Sequence, residues 1–428
     1  MNEIRVNFER LREDVQSLSR IGQKEDQGIH RMAFSDGDLE GRRWFRSRIE
    51  DAGLDVFEDG AANLHARLDW DGKRASVMMG SHLDTVPGGG PLDGALGVLV
   101  GLEVMRTIQE AGVPLRHPLE VVDFTDEEGR FGGLFGSQAI AGQLTPATIH
   151  NARDLDGVAL TEAMAAWGLD ANAALFARRA PESIHAYLEL HIEQGPVLDR
   201  NHVPIGIVDA ITGLFKWDAH FRGQTNHAGT TPMDMRADSF QGLAEFAGEI
   251  NRILEEHGSP HSRATIGRVE LKPGAANTVP GETGFSLDVR DTDGETLRNL
   301  ADAFRRTLSA LARRRDLMFE FEVLSEIPPT RCDPGLVQLL TETADRLGLE
   351  HLRMPSGAAH DAQIMGSATR TGMIFVPSIE GKSHSASEWT PWEDIEKGAN
   401  LALHAILQLA AADAGTTTGE QQAKRKKA

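Results

Sequence analysis

The chain has 428 residues with 44 Lys+Arg against 64 Asp+Glu, and its net charge of −20 argues against nucleic acid or an anionic membrane surface as a partner. Hydrophobic residues at 40% and charged residues at 25% fit a globular enzyme, and the length calls for two domains rather than one core. The single cysteine, Cys332, excludes an intramolecular disulfide and a thiolate metal site.

The opening MNEIRVNFERLREDVQSLSRIG puts Leu11, Val15 and Leu18 on one face and reads as a helix over 4–20. It lacks the apolar segment of a signal peptide, and no apolar run reaches membrane-spanning length. A cytoplasmic protein without membrane contact is expected. A second helix is expected over 37–52, capped by Ser35 or Asp36. Strands follow at 64–70 and 75–82, joined by the Asp71-Gly72 turn. A helix over 94–111 and a buried strand starting at 118 come next, the strand running into the carboxylates of DFTDEEG. Residues 130–180 read as helical fragments and loops, and 186–195 as a strand ending in polar residues.

From 204 the pattern changes. Strands over 204–223 with a turn at Thr212-Gly213, a helix over 236–257, strands at 264–271 and 283–290, a helix over 294–313 and a strand at 317–324 give the order β-α-β-β-α-β. After Pro328-Pro329 the α/β character returns, with helices at 334–347 and 391–411 and a strand at 373–378. The fold expected is α/β: a large catalytic domain with a mixed sheet flanked by helices, and an inserted ferredoxin-like βαββαβ domain. The boundaries are 1–210 and 329–413 for the catalytic parts, 211–328 for the insert and 414–428 for a disordered polar tail. A cleft between the two domains is expected.

Four polar clusters fall at strand ends or in adjacent loops of the large domain. They are His82/Asp84/Asp93, Asp126/Glu127/Glu128, His191/Glu193/Gln194, and His384. Open α/β sheets bind ligands beyond the strand ends. Imidazoles mixed with carboxylates suit Zn²⁺, Mn²⁺, Co²⁺ or Ni²⁺. Any one of these histidines alone would read as a satisfied core or surface residue. Their coincidence at the ends of apolar strands favours a metal centre, with His82 and Asp93 as its first ligands. Of the adjacent glutamates, one can bind metal while the other stays free as a general base. Asp84, two residues after His82, is placed to accept a hydrogen bond from the second ring nitrogen of His82.

The stretches GSHLDTVPGGGPLDGALG, DFTDEEGRFGGLFGS, LHIEQGPVLD, GQTNHAGTTPMDMRADS, PGAANTVPG, SGAAHDAQ and VPSIEGKSHSASE resemble the M20 family of two-metal amidohydrolases. Within it they are most similar to the N-carbamoyl-L-amino acid hydrolase, β-ureidopropionase and allantoate amidohydrolase branch. The resemblance runs from about residue 10 to about residue 410.

It implies two divalent ions per subunit, held by His82, Asp93, Glu128, His191 and His384, with Asp93 bridging and Glu127 as general base. His82 and His191 would complete one site, Glu128 and His384 the other. His191 followed by IEQG matches the ureido-hydrolysing branch rather than its peptidases. On the inserted lid and dimerisation domain, His227 would stabilise the oxyanion, acting with Asn277 from the partner subunit of a homodimer. Arg290 would grip the substrate carboxylate, a task suited to a guanidinium, although Asp288 and Asp291 beside it also allow a plain ion pair. Gln194, and Gly357 with Ala358 in the loop after Ser356, would line the substrate. The branch usually shows a second glycine where this chain has Ala359, which bears on pocket shape if the position needs positive φ. His360 and Asp361 read as structural. The expected reaction is hydrolysis of a small N-carbamoyl-L-amino acid to amino acid, CO2 and ammonia. Allantoate or ureidoglycolate hydrolysis is the alternative, and an inactive metal-binding protein the reading from another class.

Overall fold

A computed structural model of the chain describes residues 4–25 and 27–411. The tail expected over 414–428 lies outside them. The chain divides into two compact units. The first runs up to Asp209, resumes over Cys332–Met354 and continues from His360. The second takes Ala210–Arg331 and Pro355–Ala359.

Setting aside two-residue strands, six come first among the described residues: β1 (Asp55–Glu58), β2 (Leu64–Leu68), β3 (Ser76–His82), β4 (Leu119–Phe124), β5 (Ile184–Ile192) and β6 (Ile205–Ile211). Five longer strands belong to the second unit: β7 (Gly213–Arg222), β8 (Arg263–Thr265), β9 (Val269–Lys272), β10 (Glu282–Asp291) and β11 (Met318–Ile327). Then come β12 (Thr330–Arg331), β13 (His351–Ser356) and β14 (Thr371–Val376). The principal helices are α1 (Phe8–Leu18), α2 (Asp36–Asp51), α3 (Ala95–Glu110), α4 (Ser239–His257), α5 (Gly294–Arg314), α6 (Pro334–Leu347), α7 (Asp361–Met365) and α8 (Trp392–Ala410).

The main sheet is mixed, in the order β12-β6-β14-β5-β3-β4-β2-β1, with β13 also on β6. Strands β14, β5, β3 and β4 run parallel to one another. Every residue of β3, β4 and β14 is buried. This is why their sequences are mostly apolar, with few polar interruptions. Helices α3 and α8 pack on the sheet, and most of α3 is buried, including Leu96, Leu99, Val100 and Met105. Gly97 allows that approach, since a Cβ there would stand 2.4 Å from the carbonyl oxygen of Leu190.

The strands either side of Asp71-Gly72 are joined there but do not pair. Strand β4 lies between them, parallel to β3 and antiparallel to β2. The fully buried β3 takes a central slot with parallel partners on both sides, and β2, half-buried at Arg67 and Leu68, takes a place nearer the edge. The strands expected over 204–223, with their turn at Thr212-Gly213, fall in two sheets, β6 in the main one and β7 in the other.

In the second unit β8, β10, β7 and β11 lie side by side, with β9 also on β10. Around them Phe221, Phe246, Phe285, Phe304 and Leu300 form one buried core joining the sheet to α4 and α5. The single strand expected at 264–271 is two, β8 and β9. Between them the N–H of Arg268 donates to Ser286 Oγ at 3.0 Å instead of continuing the ladder. Cys332 is buried, and burial pushes its thiol up to about 12, which removes it as a nucleophile. Among the described residues no helix is long and apolar enough to cross a membrane.

Candidate metal centre

Strands β3, β4, β5 and β14 deliver their C-terminal ends to one place, the position where parallel sheets put ligands. His82 closes β3, and its ring lies under the turn that starts α3. Gly94 in that turn has φ +62°, and a Cβ there would come within 2.3 Å of the imidazole. Glycine is therefore required on steric and backbone grounds together.

Two groups of donors share one carboxylate. His82, Asp93 and His191 form the first, and Asp93, Glu128 and His384 the second, with ligand atoms in each group within 4.8 Å of one another. Asp93 Oδ1 faces His191 Nε2 at 3.2 Å and His82 Nε2 at 3.9 Å. Its Oδ2 faces His384 Nε2 at 3.3 Å, and Glu128 Oε2 lies 3.4 Å from the same nitrogen. The two oxygens of Asp93 thus point into different donor sets. Glu127 Oε2 lies 3.4 Å from His82 Nε2, on the rim of the first group.

The second ring nitrogens fix the tautomers. His82 Nδ1 lies 2.9 Å from the main-chain carbonyl of Asp84, and His191 Nδ1 is 2.9 Å from that of Ile192. A ring whose Nδ1–H donates to a carbonyl presents Nε2 as the metal-facing atom. The expectation for Asp84 therefore needs correcting. Its carboxylate is 3.7 Å from His82 Nδ1, beyond hydrogen-bond range. Instead Oδ1 accepts the N–H of Glu127 at 3.3 Å and Oδ2 that of Glu128 at 3.2 Å. Asp84 shapes the glutamate turn, while its own carbonyl orients the histidine.

The electrostatics fit a divalent cation. Burial, then the charge of Glu128, pushes Glu127 well above the usual carboxylate range, and burial with Asp93 does the same to Glu128. Burial would raise Asp93 too, but His191 and His384 outweigh it and hold it well below that range. Burial lowers His82 to about 4. It also acts downward on His191, where the bond to Asp93 prevails and raises the ring to about 9. Two buried glutamates that resist ionisation beside Asp93, faced by three imidazole Nε2 atoms, make a donor set that a cation of charge two neutralises.

Gln194, expected to meet substrate, has φ 56° and donates from Nε2 to Asp93 Oδ2 at 2.7 Å. His384 sits at φ 53°, also in the left-handed region, where non-glycine residues cost about 1–3 kcal/mol. Both belong to the site, where such strain tends to gather. Three further residues escaped the sequence reading. Glu388 Oε1 accepts the N–H groups of Leu92 and Asp93, Ser383 Oγ donates to Asp93 Oδ2 at 2.8 Å, and Glu189 lies beneath His191. The SHSASE run held the only signal for the first two. His360 is buried with its ring edge-on to His191 at 4.5 Å, a packing role that suits the structural reading.

The remaining expected residues lie in the second unit. His227 pairs through its backbone with Thr278, and the N–H of Ala228 donates to the carbonyl of Asn277 at 2.9 Å, so the structure brings His227 and Asn277 together. His227 Nδ1 accepts the N–H groups of Gly229 and Thr230, both at 3.2 Å. Its neutral ring therefore carries the proton on Nε2. Arg290 donates from Nε to Asp288 Oδ1 at 2.9 Å and from Nη1 to the carbonyl of Gly357 at 2.8 Å. The N–H of Ala358 donates to Ser356 Oγ at 3.1 Å. Ala359 has no positive φ, so alanine there carries no backbone strain.

Comparison with known proteins follows the same lines. The profile of the family described as "Peptidase family M20/M25/M40" matches residues 78–408. The chain is 38% identical over 409 residues to the N-carbamoyl-L-amino acid amidohydrolase of Geobacillus stearothermophilus, covering 95% of this chain and 99% of that one. It is 36% identical over 407 residues to the allantoate amidohydrolase of Escherichia coli strain K12, covering 94% and 97%. The crystal structure of an amidase of the hydantoinase/carbamoylase family from Burkholderia multivorans superposes with a TM-score of 0.88 at 35% identity, covering 96% and 99%.

Proposed function

The chain belongs to peptidase family M20/M25/M40, a metal-dependent hydrolase family, and from that premise we propose that it cleaves the ureido C–N bond of N-carbamoyl-L-amino acids. The observation that carries the reading is the split of Asp93, one oxygen toward His82 and His191 and the other toward His384 and Glu128. This supports two divalent ions, drawn from Zn²⁺, Mn²⁺, Co²⁺ and Ni²⁺, which His82, Asp93 and His191 and, separately, Asp93, Glu128 and His384 would hold. When bound, the ions supply an acidified water and polarise the substrate carbonyl.

The protein's own groups do the rest. Glu127 takes a proton from the attacking water as the oxygen adds to the ureido carbonyl carbon. It then returns the proton to the departing nitrogen, the C–N bond breaks, and ammonia leaves. The carbamate left behind loses CO2 and frees the amino acid. His227 offers its Nε2–H to the oxyanion, in a role we assign to the partner subunit of a homodimer. Asn277, joined to the His227 loop, acts beside it. Exposed Met318, Val323 and Leu324 on β11 are consistent with a second copy covering that strand. Arg290, braced by Asp288, receives the substrate carboxylate, and Gln194, Gly357 and Ala358 line the substrate.

Allantoate and ureidoglycolate share this chemistry, and the 36% identity to an allantoate amidohydrolase keeps the first in the test. Ammonia release is measured from a panel of N-carbamoyl-L-amino acids, N-carbamoyl-β-alanine, allantoate and ureidoglycolate with each of the four metals. Preference for the L-amino acid derivatives is expected. Preference for allantoate would transfer the assignment to that substrate, and no release from any of them would sink it.

A further inference from the structure

Beneath the metal centre lies a carboxylate that the reaction does not use. Tyr187, Glu189 and His191 alternate along β5 and share one face of the strand, forming a polar ladder that climbs toward the site. Glu189 is fully buried. Its ligand atom, with those of His191 and His360, forms a third group of close metal-type donors. The oxygens of Glu189 are nevertheless engaged. Oε1 accepts from Ser81 Oγ at 2.8 Å, and Oε2 accepts the N–H of Ala362 at 2.8 Å. The Tyr187 hydroxyl donates to the carbonyl of Gly80 and lies 3.0 Å from Oε2 as well. His191 has its own two nitrogens committed to the carbonyl of Ile192 and to Asp93. A third ion would have to break these bonds, so a structural network is the better description of the group.

The partners of Glu189 are informative. Ser81 immediately precedes His82 at the end of β3. Ala362 lies in the first turn of α7, two residues after His360, whose ring rests on His191. Glu189 is itself two residues from His191. One buried carboxylate thus bonds or adjoins the segments that carry the two histidines of the first donor group. A buried carboxylate with two or three donors is strongly held, and removing it leaves those donors unsatisfied.

We propose that Glu189 is a positioning residue of the metal centre, fixing the spacing between the strand ends that carry His82 and His191 without touching metal or substrate. This rests on the two-ion reading above. Partners that orient ligands from outside the coordination shell typically alter metal affinity by about 10–100-fold.

The test uses the full-length protein stripped of metal and titrated with Co²⁺, whose visible absorption reports the geometry of its ligands. Glu189→Gln and Ser81→Ala are compared with Ile374→Val, a core change on β14 outside the network. Both network variants should weaken Co²⁺ binding, Glu189→Gln by about 10–100-fold and Ser81→Ala less, and both should shift the absorption bands. Ile374→Val should lower the melting temperature and leave affinity and spectrum unchanged. Glu189→Ala extends the series if it folds, and Ser81→Ala carries the test if it does not. Network variants that melt earlier yet bind Co²⁺ with native affinity and spectrum would reduce Glu189 to a stability role and overturn the proposal. A native protein that binds no Co²⁺ is a different result, removing the two-ion reading and this proposal with it.

Discussion

Glu388 Oε1 accepts the main-chain N–H of Asp93 at 3.0 Å across 295 residues of sequence. The same oxygen accepts the N–H of Leu92 at 2.9 Å, and Oε2 lies 3.2 Å from Ser383 Oγ, whose proton goes to Asp93. One side chain therefore ties the turn that bears Asp93 to the loop that bears His384. Gly90 leaves room for it, since a Cβ there would stand 2.4 Å from the carboxylate. Glu388→Ala should reduce metal retained after dialysis about 10–100-fold and lower stability by about 1–3 kcal/mol. Glu388→Gln, which keeps one oxygen acceptor, should fall between. Metal content by elemental analysis and thermal melts check both.

Glu127→Gln separates base from ligand. The amide keeps the shape of the side chain and its place 3.4 Å from His82 Nε2 but cannot accept the proton of the attacking water. Turnover should drop by about 10²–10⁴-fold while bound metal stays at the native level. Equal loss of both would make Glu127 a ligand.

Arg290 is braced on one side by Asp288, so its direction is set before substrate arrives. Arg290→Lys cannot reproduce the planar fork. Its kcat/KM toward N-carbamoyl amino acids should fall about 10–100-fold, the worth of a charge-assisted bond of about 1.5–3 kcal/mol. Toward the matching N-carbamoyl amino amide, which lacks the carboxylate, variant and native protein should be alike. An equal loss on both substrates would assign Arg290 to folding.

A pH signature is expected away from the metal. His65 is buried between Asp59 and Glu120, with Nδ1 3.1 Å from Glu120 Oε1. Burial opposes its protonation, but the two carboxylates prevail and raise it above its ordinary 6.5. Burial likewise acts upward on Glu120, yet His65, Arg179 and Arg67 hold it below its ordinary 4.5. A raised histidine contributes stability in full below about 6.5 and loses it as pH climbs through the folded value; a depressed glutamate contributes in full above about 4.5 and loses it as pH falls. The pair should thus stabilise most between about pH 4.5 and about 6.5. Urea midpoints of the metal-stripped protein against pH test this, and His65→Gln should shrink the alkaline decline, leaving the part that the raised His191 contributes.

How far the site was legible depended on burial. Strands enclosed on both faces read as apolar runs, so His82, Glu127, Glu128 and His191 stood out at their ends and His384 in a loop, and the family motifs supplied their division between two ions. Strand order was hidden, because parallel pairing leaves no local mark: nothing in 64–82 signals that β4 separates β2 from β3. Glu189 was hidden for a related reason, since a polar residue in an alternating LELHI reads as solvent-facing. Asp84 misled because its main-chain carbonyl does for His82 what its carboxylate was expected to do.

Strand β14 lies between β5 and β6, although it is made about 160 residues after them. On the ribosome, then, the middle of the main sheet is its last strand to emerge, and until it does β5 and β6 each expose an open edge. His384 follows eight residues later. Metal loading should therefore follow the completion of synthesis: a chain stopped after the second unit holds His82, Asp93, Glu128 and His191 but lacks His384 and the strand that joins β5 to β6. Ribosome-bound chains released at about residue 360 should aggregate and fail to retain Co²⁺, whereas those released past about residue 411 should hold it.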